Sequence, residues 1–158
     1  MNNLATLSTL DLDTITNEDL VSPTIEQIWD MQTQLSNIPQ HNFETKHYFA
    51  GGMYAREMFI PKGFALVGLV HKTQHFFQIV SGKIIVWSEG QSTIMTGPCL
   101  VVSEPGVKRV GFALEDTVCV NFHKTDKLDV QEIHTELTEP DNTTLLDAYN
   151  NIKKEQLQ

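Results

Sequence analysis

The middle of the chain, from about residue 41 to residue 123, consists of short apolar runs rich in Val, Ile, Phe and Tyr. Turn signals separate these runs at nearly regular intervals, at Gly51-Gly52, Pro61-Lys62-Gly63, Ser81-Gly82, Glu89-Gly90, Gly97-Pro98 and Pro105-Gly106. Strands that recur every ~8–12 residues are typical of an antiparallel sandwich or barrel. No helical pattern lies between the runs, so a parallel sheet is not indicated. The pattern predicts an all-β fold.

Helical patterns flank this region on both sides. Upstream, the stretch SPTIEQIWDMQTQLSNIP predicts a short helix with Ser22 or Thr24 as its N-cap. Downstream, EPDNTTLLDAYNNIKKEQL predicts a helix that begins after Asp141 or Asn142 and extends beyond Ile152. The domain organisation predicted from these patterns is an N-terminal arm and helix over residues 1–40, a barrel over 41–130, and a C-terminal helical segment over 131–158.

Composition and charge exclude several classes of protein. The net charge of −9 argues against nucleic-acid binding, which requires a basic surface. No apolar stretch approaches the roughly 20 residues that span a bilayer, and the N-terminus does not resemble a signal peptide. Without an export signal, Cys99 and Cys119 are expected to be reduced thiols. We therefore expect a cytoplasmic protein that binds neither nucleic acid nor membrane.

The candidate chemistry begins in GLVHKTQHFFQIVSGK, residues 68–83, which places His71 and His75 four residues apart. Positions four apart on one strand share a face, so both imidazoles could point into the barrel. A metal site needs several imidazole or carboxylate groups that face inward from adjacent strands. The third ligand could come from His123, Glu57 or His47.

The same stretch resembles the first motif of the cupin superfamily, G-x5-H-x-H-x3-E-x6-G. His71 stands at the second histidine, His75 at the glutamate, and Leu69 at the first histidine. The stretch GPCLVVSEPGVKRV resembles the second motif, G-x5-P-x-G-x2-H-x3-N, with Arg109 at the histidine. The resemblance implies a cupin-like antiparallel β-barrel of the jelly-roll type with short N- and C-terminal helices. By analogy it also implies a homodimer, and the layout is similar to small stand-alone cupin-like proteins of tailed phages, which would place it in the host cytoplasm.

The departures from the family pattern favour a binding pocket over a metal centre, because Leu69 and Arg109 replace two of the four ligands. An arginine cannot ligate a metal, whereas its planar guanidinium suits phosphate or carboxylate. The sequence therefore predicts a barrel that binds a small anion of the nucleotide or sugar-phosphate type. The predicted ligand-binding residues are Tyr54, Arg56, His71, His75 and Arg109.

Alternatives remain open beside this hypothesis. One is an enzyme that holds a divalent metal through His71, His75 and His123, of the oxygenase or isomerase type. Another version is a metal-free histidine acid–base enzyme of the epimerase type. The last is a structural or adaptor barrel in a phage-type assembly. Arg109 also has a structural interpretation, as the partner of Glu104 or Glu115.

Overall fold

The computed structural model describes residues 11–153. Within this range the chain forms nine strands: β1 (Thr45–Ala50), β2 (Met53–Ile60), β3 (Ala65–Val67), β4 (His75–Ser81), β5 (Lys83–Ser88), β6 (Gln91–Thr96), β7 (Cys99–Ser103), β8 (Val110–Ala113) and β9 (Thr117–Lys124). A 3-10 turn (Asn17–Asp19) and helix α1 (Ile25–Ser36) precede the strands, and helix α2 (Val130–Leu137) follows them. The predicted all-β class with two short helices is confirmed.

The strands form two antiparallel sheets that face each other. The five-stranded sheet has the order β1-β2-β9-β4-β7, and the four-stranded sheet has the order β3-β8-β5-β6. Alternate side chains point into the space between the sheets, as the pleat requires. The inward-facing apolar core includes Met58, Ile60, Ile79 and Cys119 from the first sheet and Ile84 and Ala113 from the second. The two sheets make the predicted jelly-roll barrel.

Helix α1 packs on the outer face of the four-stranded sheet. Its N-cap is Thr24, one of the two predicted caps, whose side chain accepts a hydrogen bond from the backbone N–H of Gln27. The Gln27 side chain accepts in return from the backbone N–H of Thr24, which completes a capping box. Ile28 and Met31 then bury against Trp87 in a core cluster outside the barrel. Trp87 is thus a core residue under the helix.

The prediction of a helix that begins after Asp141 or Asn142 is wrong over the described residues, and its last residues, from 154 onward, lie outside them. The C-terminal helix of the described chain is α2, which ends at Leu137 and begins after the N-cap Asp129. The apolar residues beyond α2 have helical spacing, yet their backbone is irregular. The Asp147 carboxylate accepts hydrogen bonds from two nearby backbone N–H groups, of Tyr149 and Asn151. Such local side-chain bonds compete with helix formation.

Residues 138–153 instead form a strap that closes the side of the barrel. Leu146 packs against the core between the sheets, and Asn150 is buried with a φ of 60°. The backbone N–H of Phe43 donates to the Asn150 carbonyl at 3.1 Å, and the N–H of Ile152 donates to the Asn42 side chain at 2.8 Å. The burial of these side chains accounts for the irregular path. Neither helix of the described residues has the length and apolar content needed to cross a membrane.

Candidate functional site

Three histidines converge at one end of the barrel. The ring centroids of His75 and His123 are 4.3 Å apart, those of His71 and His75 4.5 Å, and those of His71 and His123 5.0 Å. One coordinating nitrogen from each ring lies within 4.8 Å of the other two. The structure therefore brings together the three residues that the sequence predicts as metal ligands. We call them the histidine cluster.

The strand register explains two of the three positions. Phe77 pairs with Asn121, and Phe76 pairs with Phe122, between β4 and β9. One further step along the same register places His75 opposite His123. His71 does not share a strand with His75, which corrects the prediction from the four-residue spacing. It lies in the β3–β4 connection, where its backbone makes an isolated bridge with Thr138 of the strap.

Burial keeps the histidine cluster neutral. His75 is 6% exposed and His123 is 3% exposed. Desolvation, together with the charges of His123, His75, Arg56 and Arg109, lowers the pKa of His71 to about 2. Desolvation, together with His75 and Arg56, lowers the pKa of His123 to about 3. Burial also lowers the pKa of His75. At neutral pH the rings carry lone pairs, which is the form of imidazole that binds a metal.

The hydrogen bonds of the cluster engage both ring nitrogens of His75 and leave one nitrogen of His123 without a partner among the described residues. His75 Nδ1 lies 3.3 Å from the Thr73 carbonyl oxygen, and His75 Nε2 lies 3.1 Å from the Asn121 side-chain oxygen. A neutral imidazole has one N–H, so His75 can donate to only one of these two oxygens; when Nδ1–H donates to Thr73, the Nε2 lone pair faces the Asn121 side chain. The Nδ1 atom of His123 is buried and has no hydrogen-bond partner among residues 11–153. A buried polar atom without a partner is rare and costs free energy.

Arg56 lies on the inward face of β2, in register with Asn121 on β9. Its Nη2 group donates to the Ala148 carbonyl at 3.2 Å and to the Asn150 side-chain oxygen at 2.7 Å. The strap therefore holds the guanidinium that the sequence predicts as an anion ligand. Its charge still reaches the histidine cluster, where it lowers the pKa of His71 and His123.

Tyr54 lies beside the cluster, in register with His123 on the neighbouring strand. The two rings are stacked with centroids 6.2 Å apart. The hydroxyl is 2.8 Å from His47 Nδ1, and the ring packs against Ile133 and Leu137 of α2. Burial raises the pKa of Tyr54. Tyr54 thus lies between the cluster and α2.

Arg109 is half-buried, and its charge lowers the pKa of both His71 and His75. Its side chain makes no hydrogen bond or ion pair with any residue between positions 11 and 153. The structural pairing with Glu104 or Glu115 is not formed; Glu104 accepts instead from the Gln74 side chain at 2.9 Å. Arg109 is a cation near the cluster with unused donors.

The other ligands considered from the sequence lie elsewhere. Glu57 is 3.6 Å from the ammonium of Lys46, and His47 contacts the Tyr54 hydroxyl. The residue that sequence reasoning missed is Asn121, which contacts His75. The alternation of Asn121 and His123 on β9 was the available signal, because both share one face of the strand.

A separate cleft of about 280 Å³ lies between α1, β3 and the strap. Its walls are largely apolar and include Leu35, Phe43, Phe64, Leu66 and Leu146. None of the predicted site residues lines it.

Comparisons with known proteins give a likeness to cupin structures at low similarity. No family model matches the chain, and no curated protein matches it. Among solved structures, KdgF from Halomonas sp. is 15% identical over 54% of this chain and 81% of its own, with a TM-score of 0.47. A cupin-2 domain protein from Shewanella frigidimarina is 14% identical over 58% of this chain and 89% of its own, with a TM-score of 0.45. The Schizosaccharomyces pombe Cnp3 cupin domain is 19% identical over 58% of this chain and 72% of its own, with a TM-score of 0.46. At this level the likeness extends to no site residue and to no activity.

Proposed function

We propose that this barrel binds a divalent first-row transition metal through His71, His75 and His123. The observation that carries the proposal is the convergence of three neutral imidazoles, whose donor nitrogens lie within 4.8 Å of one another. The unpartnered Nδ1 atom of His123 fits a metal ligand, because a bound cation would satisfy its buried lone pair. Imidazole is the ligand that Zn²⁺, Cu²⁺, Ni²⁺ and Fe²⁺ share.

This proposal reverses the preference drawn from the sequence. Burial holds the pKa of His71 and His123 far below neutral, so at neutral pH these rings offer an anion one N–H each and no positive charge. Arg56 donates to the strap through Nη2, whereas its Nε is buried without a partner among the described residues. The neutral rings favour the metal over an anion held by the histidines alone.

A second ligand is supported by Arg109. Its guanidinium has no partner among the described residues and lies close enough to act on the charge of His71 and His75. Three protein ligands leave a metal with at least one position for an outside ligand. We infer that a small carboxylate or phosphate binds beside the histidine cluster with Arg109 as its cation. The nucleotide or sugar-phosphate identity stays a prediction.

The chain's own residues have distinct parts in this arrangement. A bound metal would supply a Lewis acid at the barrel end. His75 is oriented by the Thr73 carbonyl, since a hydrogen bond to one ring nitrogen fixes which nitrogen carries the lone pair. Tyr54 stacks on His123 and packs against Ile133 and Leu137 of α2, so it shields one side of the cluster. The enzyme, assembly and phage hypotheses, and the cytoplasmic location, stay predictions.

Equilibrium dialysis against Zn²⁺, Co²⁺, Ni²⁺ and Fe²⁺, followed by elemental analysis, tests the proposal. The wild-type chain should retain one equivalent of at least one metal. His123→Gln should lose it, whereas His41→Gln, which removes an imidazole outside the cluster, should retain it. Retention of none of the metals by the folded wild-type protein would refute the proposal, as would equal retention by His123→Gln.

A further inference from the structure

The cleft between α1, β3 and the strap is a second candidate site, apart from the histidine cluster. None of the residues that line its 280 Å³ is Asp, Glu, Lys or Arg, although 20% of the whole chain is charged. Ile38 and Phe64 line it and are 53% and 38% exposed, so the cleft opens to solvent. Covering apolar surface of this kind stabilises a complex. The cleft therefore suits an uncharged, largely apolar ligand.

Aromatic rings form one wall of the cleft. The His41 ring is T-shaped to Phe43 with centroids 5.1 Å apart, and it is tilted on Phe64 with centroids 4.5 Å apart. Phe43 and Phe64 are T-shaped to each other at 6.4 Å. Aromatic rings prefer such edge-to-face and offset contacts, so a planar ligand can continue the same arrangement. This wall favours an aromatic ligand over an alkyl chain.

A buried amide supplies the polar group of the cleft. Gln32 lines the cleft and is 4% exposed, and its Nε2 group donates to the Asp141 carboxylate and to the Thr143 hydroxyl of the strap. A carboxylate only accepts, so these contacts fix which end of the amide is the NH2 group. The other end, Oε1, accepts no hydrogen bond from any residue between positions 11 and 153. The cleft therefore offers a ligand one buried acceptor for an O–H or N–H.

The strap holds this amide in one orientation. Asp141 binds the Lys108 ammonium at 3.1 Å, with both side chains less than a tenth exposed, and it accepts from the Thr143 hydroxyl at 2.6 Å. Gln32 cannot turn its oxygen toward the strap without losing its bonds to Asp141 and Thr143. A hydrogen-bonding group that its neighbours already hold loses little entropy when a ligand binds.

We propose that the cleft binds a small, uncharged aromatic molecule of about two fused rings that carries one N–H or O–H donor. An apolar cavity of ~150 Å³ binds benzene, so the larger cleft has room for a second ring. The ligand rings would lie against His41 and Phe64, with the donor directed at Gln32 Oε1. No member of the histidine cluster lines the cleft, so this proposal is independent of the metal proposal.

Isothermal titration calorimetry with indole and 1-benzothiophene tests the proposal, because the two molecules have nearly the same shape and only indole has an N–H. Indole should bind the wild type with a dissociation constant on the order of 0.1 mM. It should bind about fivefold to tenfold more tightly than benzothiophene, which is the usual effect of one hydrogen bond. Gln32→Met should remove this preference. Phe64→Ala should weaken indole binding about tenfold, whereas Phe76→Ala, which truncates another exposed phenylalanine, should leave it unchanged.

The contrary outcomes are distinct. Absence of indole binding to the wild type at millimolar concentration overturns the proposal, and equal affinity for indole and benzothiophene overturns the role of Gln32. Both of these comparisons use the wild type, so they hold even where a variant folds poorly. Undiminished binding by Phe64→Ala places the indole elsewhere. Tighter binding of 1-octanol than of indole makes the occupant an alkyl chain, and indole affinity that falls as protein concentration rises makes it a second copy of the chain. His123→Gln should bind indole normally, so this proposal and the metal proposal fail separately.

Discussion

His75 and His123 face each other across adjacent antiparallel strands, with ring centroids 4.3 Å apart. The contact follows from a strand register fixed by the residues next to them, so it belongs to the sheet and not to a mobile loop. His71 reaches the same point from the β3–β4 connection, where the strap holds its backbone. A site built on strands is held more precisely than one on loops. The neutral rings make this end of the barrel a place for a cation with neutral ligands.

Because the histidines of the cluster are neutral in the folded chain, we expect the free energy of unfolding to fall as the solution becomes acidic. Since the pKa of His123 is lower in the folded chain than in the unfolded one, the unfolded chain takes up the proton first as pH falls below about 6.5. Between pH 7 and pH 5 this lowers the free energy of unfolding by about 2 kcal/mol for a fully buried histidine. Urea unfolding at both pH values measures the loss. His123→Gln should show a smaller loss by about that amount, and an unchanged pH dependence would contradict the assignment.

The strap should depend on a buried ion pair. The Lys108 ammonium is 3.1 Å from the Asp141 carboxylate, with both side chains less than a tenth exposed, and it lies 4.4 Å from the Trp29 ring. Asp141→Ala leaves a buried cation unpaired, so it should cost about 3–5 kcal/mol of unfolding free energy. The exposed pair Lys62–Asp13, at 3.3 Å, provides the control, because Asp13→Ala should change little. Equal effects of the two substitutions would show that the strap does not rely on this pair.

Substitution of Gly82 should destabilise the protein more than substitution of Gly90, another turn glycine. It has a φ of 91°, and a Cβ added there would lie 2.2 Å from the Asp116 carbonyl oxygen. Gly90 has a φ of 69° with nothing within 4 Å of such a Cβ. Gly90→Ala should cost about 1–2 kcal/mol from its left-handed backbone alone. Gly82→Ala should cost clearly more, and thermal unfolding of the pair measures the difference. Equal costs would mean that the Asp116–Thr117 backbone moves aside freely.

Arg109 should weaken the binding of a metal and strengthen the binding of an anion. Its positive charge lowers the pKa of His71 and His75, and by the same repulsion it should disfavour a dication on those rings. Arg109→Gln should therefore tighten metal binding, by about threefold to tenfold, in isothermal titration calorimetry. The same variant should weaken the binding of inorganic phosphate to the metal-loaded protein. A loss of metal affinity in Arg109→Gln would argue that the arginine organises the cluster.

The sequence predicted the class of the fold but not the path of residues 138–153. Turn signals at regular intervals between Val-, Ile- and Phe-rich runs predict strands well, because turns and strands both depend on local backbone preferences. The apolar residues of this segment have helical spacing, yet Leu146 packs, partly buried, against the barrel core and the segment forms the strap. That outcome depends on contacts with residues far away in the chain, which periodicity does not record.

The candidate site was only partly predictable, because part of it also depends on contacts between distant residues. The sequence identified all three histidines, but the choice between a metal and an anion depended on how deeply the side chains are buried. The Asn150 and Ala148 oxygens bind Arg56, and the neighbouring residues keep His71 and His123 neutral. Neither effect follows from the motif, since both arise where the strap meets the barrel.

X-ray absorption spectroscopy of the Zn²⁺- or Co²⁺-loaded protein tests the central claim most directly. Imidazole ligands give a characteristic outer-shell scattering pattern, and their number can be fitted. We expect three imidazoles, with the count reduced in His123→Gln and unchanged in His41→Gln. A spectrum without imidazole scattering, or one that is the same in His123→Gln, would contradict a metal site at the histidine cluster.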